Sequence, residues 1–252
     1  FLEIELDNGI IGYGSASPAE DVVGETPEQS FINLSSESIQ SFTGRDIRTF
    51  RQLIYEAKQK FPHLPGTLAA FDIALHDAFG KLLGISVVDL YGRKIKSLPT
   101  SVTIGIKNVQ ETMDDAAEYF KLGFKVLKVK TGLSVDEDIE RILRLSERYR
   151  QQMKIRVDAN QGYTLDDLNK FILATDKCAV ELIEQPLSVG KEKELLQLPD
   201  STRQLLTADE SLKDPEAALK LAAGDRSFGI YNIKLMKCGG ILEALDIANI
   251  AY

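Results

Sequence analysis

Positions 1–6 alternate apolar and acidic residues, Phe1, Leu2, Glu3, Ile4, Glu5 and Leu6, and Asn8-Gly9 separates them from a second apolar stretch at 10–13. A period of two on either side of a tight-turn dipeptide predicts an antiparallel β-hairpin. The pattern then changes to helical spacing. Thr26-Pro27-Glu28-Gln29 reads as a helix start, with a Thr cap, Pro in the first turn and Gln three residues after the cap. Over 67–83 the apolar residues Leu68, Phe71, Ile73, Leu75, Phe79, Leu82 and Leu83 recur at a helical period, and Gly84 ends the run. Residues 1–97 are therefore expected to form an α+β unit. After Pro99 short apolar runs at 101–106, 126–130, 155–160, 182–186, 205–211 and 229–235 read as strands. They alternate with helical stretches at 110–122, 135–150, 165–175, 215–223 and 241–251. That alternation predicts parallel βα units, an α/β barrel domain over 98–252. Six strands are visible where a closed (β/α)₈ barrel has eight. Phe1 already reads as strand and Tyr252 as helix, so both ends are expected to be cut and the last two βα units to lie beyond Tyr252.

Composition narrows the classes. A chain of 252 residues with 44% hydrophobic content can bury a sizeable core. The 38 acidic and 30 basic residues give a formal net charge of -8 and form no basic stripe, which argues against a nucleic-acid partner. No apolar run approaches the roughly 20 residues that cross a bilayer, and the start lacks a basic segment followed by an apolar one, so no membrane attachment is expected. Cys178 and Cys238 lie far apart with no CxxC pairing, which fits a reducing, cytoplasmic setting and offers no zinc site.

The candidate chemistry lies at the C-terminal ends of the expected strands, where barrel enzymes keep their active sites. Lys128 and Lys130 end the second strand, Asp158 and Asn160 the third, Glu184 the fourth, Asp209 and Glu210 the fifth, and Lys234 the sixth. The groups at 130, 158, 184, 209 and 234 recur at intervals of 25 to 28 residues, one βα unit each, which predicts equivalent levels around one ring. Taken singly, each has a plain structural explanation: V-L-K-V-K as a half-exposed strand, a strand-end Asp as the next helix cap, Asp209-Glu210-Ser211 as the cap of the helix near Pro215. Those explanations do not predict three carboxylates and two lysines in phase on consecutive strands. Asp158, Glu184 and Asp209 offer the hard oxygen donors that Mg²⁺ prefers and leave positions open for substrate. Residues i and i+2 of a strand face one way, so Lys128 and Lys130 both point inward. Crowding two ammonium groups near a metal ion is expected to lower a lysine pKa and make a usable base, with Lys130, nearer the strand end, the better one. Lys234 is expected roughly across the mouth, so that a substrate has one lysine on each face. Such a site abstracts a proton α to a carboxylate and stabilises the negative charge that develops.

At this point the sequence resembles a known family, the muconate-lactonizing-enzyme subgroup of the enolase superfamily, and within it the dipeptide epimerases of the L-Ala-D/L-Glu type. The resemblance runs from D-N-G-I-I-G-Y-G-S-A-S-P through A-F-D-I-A-L-H-D to V-L-K-V-K, V-D-A-N-Q-G-Y, I-E-Q-P, T-A-D-E-S and N-I-K-L-M-K-C-G-G. It implies an enolase-type modified TIM barrel with an N-terminal α+β capping domain. It implies Lys130 and Lys234 as the acid/base pair, Lys128 as the support of Lys130 and the contact to an enediolate, and Asp158, Glu184 and Asp209 as ligands of one Mg²⁺. Asn160 and Glu210 support that shell, and Thr103 resembles a substrate-contacting position, although a Thr there also suits strand packing. N-I-K-L-M-K-C-G-G favours dipeptide epimerisation, while muconate-type cycloisomerase, N-acylamino acid racemase and o-succinylbenzoate synthase chemistry use the same lysines and ligands and stay open. Two specificity elements of the family, a mobile loop ahead of the opening strand and an Asp-x-Asp on the eighth strand, are not in the sequence. A non-catalytic binding or assembly module is the alternative of another class, opposed by the intact lysines and carboxylates. A small carboxylate substrate is implied, and homo-oligomer formation stays open.

His76 on a helix and His63 in a turn fall outside the ring and read as core or surface residues. Cys238 reads as packing, and Gly239-Gly240 carries no phosphate-binding pattern around it.

Overall fold

The computed structural model describes residues 1–178 and 180–252. Strands β1 (Leu2–Glu5) and β2 (Ile11–Gly14) are followed by helices α1 (Pro27–Leu34), α2 (Phe50–Lys60) and α3 (Pro65–Leu83). Then come β3 (Ser101–Ile104), α4 (Val109–Lys121), β4 (Val126–Lys130), α5 (Val135–Tyr149), β5 (Lys154–Asp158), α6 (Leu165–Thr175) and β6 (Val180–Glu184). The series closes with β7 (Leu206–Ala208), α7 (Pro215–Ala222), β8 (Ile230–Tyr231) and α8 (Ile241–Ala251), with short helical turns between some of them. These elements divide into two compact units, one of residues 1–96, 213–220 and 233–252, the other of 97–212 and 221–232. Among the described residues no helix is long and apolar enough to cross a membrane.

In the first unit β1 pairs antiparallel with β2, Leu2 opposite Gly14 and Glu5 opposite Ile11, around the Asn8-Gly9 turn. The Thr26 cap of α1 closes as expected: its side chain accepts from the Gln29 amide, and the Gln29 side chain accepts from the Thr26 amide. Helix α3 is buried nearly all round, which its run of small and apolar residues allows. It starts at Pro65, two residues before the apolar spacing alone suggests, because proline suits the first helical position. Strand β2 runs against its alanines so closely that a Cβ on Gly14 would lie 1.8 Å from the Ala70 carbonyl oxygen, and one on Gly12 2.4 Å from that of Ala74. Only glycine permits that approach. Phe42, Phe50, Leu53, Ile54, Ala57, Phe61, Leu68, Phe71 and Leu75 make the core of this unit.

Two buried carboxylates brace it. Glu25 accepts from the Gly66 and Thr67 amides at 2.7 and 2.9 Å and from the Ser30 hydroxyl at 2.6 Å, capping α3. Asp72 accepts from the Ile241 and Leu242 amides at 2.8 and 3.2 Å, capping α8, and lies 3.0 Å from His76 Nδ1.

The second unit holds one parallel sheet in the order β3-β4-β5-β6-β7-β8. With the antiparallel pair of the first unit, this is the enolase-type α/β fold expected from the sequence. All six expected strands are present among the described residues. Several end earlier than expected: β5 stops at Asp158 rather than 160, and β8 spans Ile230–Tyr231 rather than 229–235. Their polar motif residues leave the ladder and bend into loops.

Candidate active site

Strand register sets the geometry of the second unit's polar residues. Lys130 on β4 is opposite Asp158 on β5, and Asp158 is opposite Glu184 on β6, so three groups share one row. One alternation earlier, Thr103, Lys128 and Arg156 form a second row. Cross-strand partners face the same side, so both rows present one surface. The upper row continues through Thr207 to Ile230. Asp209 follows Thr207 by two residues, just past the end of β7. The single level expected from the sequence spacing therefore holds for 130, 158 and 184 and shifts at Asp209, because strands of such a sheet are staggered.

The side chains meet directly. Lys128 Nζ lies 2.9 Å from Asp158 Oδ2 and 2.8 Å from Glu184 Oε2, so one ammonium bridges two carboxylates. Lys130 Nζ lies 2.8 Å from the same Asp158 Oδ2. Asp158, Glu184 and Asp209 are 1%, 4% and 3% exposed, so their charges are largely removed from water. Burial works against the Lys128 ammonium, but hydrogen bonds to Glu184 and Asp158 and their charges outweigh it and raise its pKa above the ordinary lysine value.

Loops complete the arrangement. Asn160, Gln161 and Gln185 have φ of +46, +69 and +36, the left-handed region that non-glycine residues seldom occupy and that gathers at functional sites. Asn160 Nδ2 donates to Glu210 Oε1 at 2.9 Å, uniting the two supporting residues picked from the sequence. Gln185, 1% exposed, accepts at Oε1 from the Asp209 and Ser211 amides at 2.9 and 3.1 Å and donates to the Ser211 hydroxyl and the Leu187 carbonyl. Asn232 Nδ2 donates to Glu184 Oε1 at 2.9 Å. Sequence reasoning missed both functions. Gln185 stood inside I-E-Q-P and Asn232 opened N-I-K-L-M-K-C-G-G, and neither was given a role of its own there. Thr103 is exposed beside Lys128 in the register.

Lys234 belongs to the first unit, where it precedes the short helix Leu235–Cys238 and its carbonyl accepts from the Lys237 and Cys238 amides. It is not inside a strand, as the apolar run 229–235 had suggested. Among the described residues no three His, Cys, Asp or Glu side chains stand close enough together to hold a metal ion. As they stand, the oxygens of Asp158 and Glu184 are turned onto Lys128, Lys130 and Asn232. The donor set itself, buried carboxylate oxygens on neighbouring strands already gathered around cationic groups, fits a hard divalent cation. His76 is fully buried between Asp72 and the Tyr91 hydroxyl, 2.6 Å from its Nε2, and His63 sits in a turn at φ +61. Cys238 is a buried free thiol.

Two family models match: that of the mandelate racemase / muconate lactonizing enzyme N-terminal domain over residues 1–92, and that of the enolase C-terminal domain-like fold over residues 111–252. The L-Lys-D/L-Arg epimerase of Desulforapulum autotrophicum is 48% identical over 251 residues, covering 100% of this chain and 71% of that protein. The crystal structure of a dipeptide epimerase from Methylococcus capsulatus complexed with Mg and the dipeptide L-Arg-D-Lys superposes with a TM-score of 0.96 at 44% identity, over 99% of this chain and 70% of that one. A substrate-liganded complex of the L-Ala-D/L-Glu epimerase from Bacillus subtilis gives a TM-score of 0.93 at 28% identity, over 99% and 70%.

Proposed function

Since the chain belongs to the mandelate racemase / muconate lactonizing enzyme family of enolase-like proteins, we propose that it is a Mg²⁺-dependent isomerase that epimerises a dipeptide at the carbon α to its carboxylate. Residues 1–97 act as the capping domain and 98–252 as the catalytic (β/α) domain. The observation that carries this reading is the row of Lys130, Asp158 and Glu184, with Lys130 Nζ 2.8 Å from Asp158 and Lys128 joining both carboxylates.

Lys130 is the acid/base group of one substrate face. Lys128, in the row behind it, hydrogen-bonds the substrate carboxylate, and the exposed Thr103 beside it contacts the substrate. Lys234 is the acid/base group of the other face, a role supported by its place in N-I-K-L-M-K-C-G-G. Asp158, Glu184 and Asp209 hold Mg²⁺, which when bound supplies positive charge against the negative charge that grows on the carboxylate. Asn160 and Glu210 steady the loops around that shell. The identity to an L-Lys-D/L-Arg epimerase favours a cationic dipeptide over L-Ala-L-Glu as the preferred substrate. A cytoplasmic location and a homo-oligomeric assembly accompany this reading, supported by free cysteines and by the fold class.

The test is α-proton exchange in D₂O with Mg²⁺, using L-Lys-L-Arg, L-Arg-L-Lys and L-Ala-L-Glu, read by mass and by circular dichroism. Exchange with inversion that disappears in Lys130→Ala and in Lys234→Ala is the expected result. Absence of exchange on all three, with turnover of an N-acylamino acid or a muconate instead, overturns the dipeptide reading.

A further inference from the structure

The backbone that carries Lys130 is held by three buried side chains to which the chemistry above gives no part. Arg141 on α5, 2% exposed, donates from Nη2 to the Lys130 carbonyl at 3.0 Å and to Asp138 Oδ1. Asp138, 1% exposed, accepts at Oδ2 from the Gly132 amide at 2.8 Å and from the Tyr163 hydroxyl at 2.9 Å. Between those two peptide groups the Thr131 amide donates to the Asp158 carbonyl at 2.8 Å. Tyr163 lies in the loop after β5, and its own amide donates to the Pro186 carbonyl, in the loop after β6, at 3.0 Å. Asp138 thus ties the loop after β4 to the loop after β5, and Tyr163 extends the tie to the loop after β6. Burial pushes the Tyr163 hydroxyl well above the usual tyrosine range, which keeps it a donor to Asp138.

Stability is a poor reason for this cluster. A buried ion pair yields little net stabilisation, since desolvation offsets the attraction, and packed apolar residues often replace one without loss. Arg141 leaves its Nη1 without an acceptor among the described residues, which adds a cost. What the cluster does accomplish is to fix three consecutive residues, 130–132, relative to Asp158.

We propose that Asp138, Arg141 and Tyr163 are positioning residues that hold Lys130 at the reacting carbon, a proposal that rests on Lys130 being the base of one substrate face. Loss of the clamp slows proton transfer on that face and leaves substrate binding nearly unchanged, because displacements of about 1 Å cost catalysis up to about a hundredfold. The mildest probe is Tyr163→Phe, which removes one hydroxyl from Asp138. Arg141→Lys is the second, retaining charge but not the fork that reaches both the carbonyl and the carboxylate.

Washout of α-deuterium is measured separately from the two epimers of the dipeptide, with Lys130→Ala defining which epimer depends on Lys130. Both variants are expected to slow that same epimer about tenfold or more, to leave the other within about twofold, and to leave KM within about twofold. Equal slowing of both epimers, slowing of the other epimer, a rise in KM alone or no effect overturns the positioning role. Failure of the wild-type protein to exchange any dipeptide is a failure of the functional reading instead. In that event the ¹³C-dimethyl-lysine resonance of Lys130, assigned by its loss in Lys130→Arg, still decides. It moves toward the position of exposed lysines in Tyr163→Phe if the clamp orders the side chain, and an unmoved resonance overturns the proposal.

Discussion

Gln185→Met tests the loop architecture that presents Asp209. The side chains have similar volume, so the substitution removes hydrogen bonds without opening a cavity. Gln185 makes four: its Oε1 accepts from the Asp209 and Ser211 amides, and its Nε2 donates to the Leu187 carbonyl and the Ser211 hydroxyl. A buried amide left without a partner costs about 1–3 kcal/mol, so the two amides alone give about 2–6 kcal/mol, lowered where water reaches the partly buried Ser211. A loss of about 3 kcal/mol in urea unfolding at neutral pH is expected. The same change frees the backbone of a proposed Mg²⁺ ligand, and disturbance of such outer partners costs about 10- to 100-fold in metal affinity. The Mg²⁺ concentration for half-maximal exchange activity is therefore expected to rise at least about tenfold. A variant that loses under about 1 kcal/mol and keeps its Mg²⁺ dependence would falsify the idea that Gln185 holds the Asp209 loop.

Three further predictions concern other groups. Glu25→Gln keeps one acceptor but sets an amide donor either against the Gly66 N–H or against the Thr67 N–H and Ser30 O–H, so a loss of about 3 kcal/mol in chemical unfolding is expected; a loss near zero refutes the capping role. Burial pushes the Cys238 thiol up to about 11, so the neutral thiol's contribution is fully present below its unfolded pKa near 9 and disappears as pH rises towards 11. The wild type is accordingly expected to lose about 2 kcal/mol more than Cys238→Ala between pH 8 and 11, and parallel stability curves for the two proteins would contradict this. Lys128→Met leaves Asp158 and Glu184 buried without their shared ammonium, for a loss of about 2–4 kcal/mol that excess Mg²⁺ reduces; a loss indifferent to Mg²⁺ speaks against a common cation site.

Much of the fold was readable because its local signals are strong. Asn8-Gly9 and Thr26-Pro27-Glu28-Gln29 act within four residues, and the helices at 165–175 and 241–251 match the expected bounds to the residue. The strand ends were harder. In V-D-A-N-Q-G and N-I-K-L the apolar alternation continues past the last ladder bond, while tertiary hydrogen bonds turn Asn160 and Gln161 to positive φ and a helical turn begins after Lys234. Lys128, Lys130, Asp158 and Glu184 were legible because ionisable residues at strand ends are unusual and the βα repeat sets their interval. Gln185 and Asn232 were not, since a neutral amide gains its meaning only from groups 24 or more residues away. Asp138 and Arg141 were hidden for a different reason. An acid and a base three apart on an amphipathic helix read as a surface pair, and their burial is set by the loops that fold over them.

The charge balance of the second unit connects these parts. Asp158, Glu184 and Asp209 are at most 4% exposed, and the lysines whose nitrogens contact two of them are Lys128 and Lys130. Arg156, next to Lys128 in the register, is paired with Glu181 at 2.7 Å. Asp158 Oδ2 accepts from both ammonium groups, so that carboxylate is matched by the protein's own lysines. A divalent cation bound at the site proposed above would take over the Asp158 and Glu184 oxygens as their counter-charge. Lys128 and Lys130 would then be free to meet a substrate carboxylate and its α-carbon instead of the protein's own carboxylates.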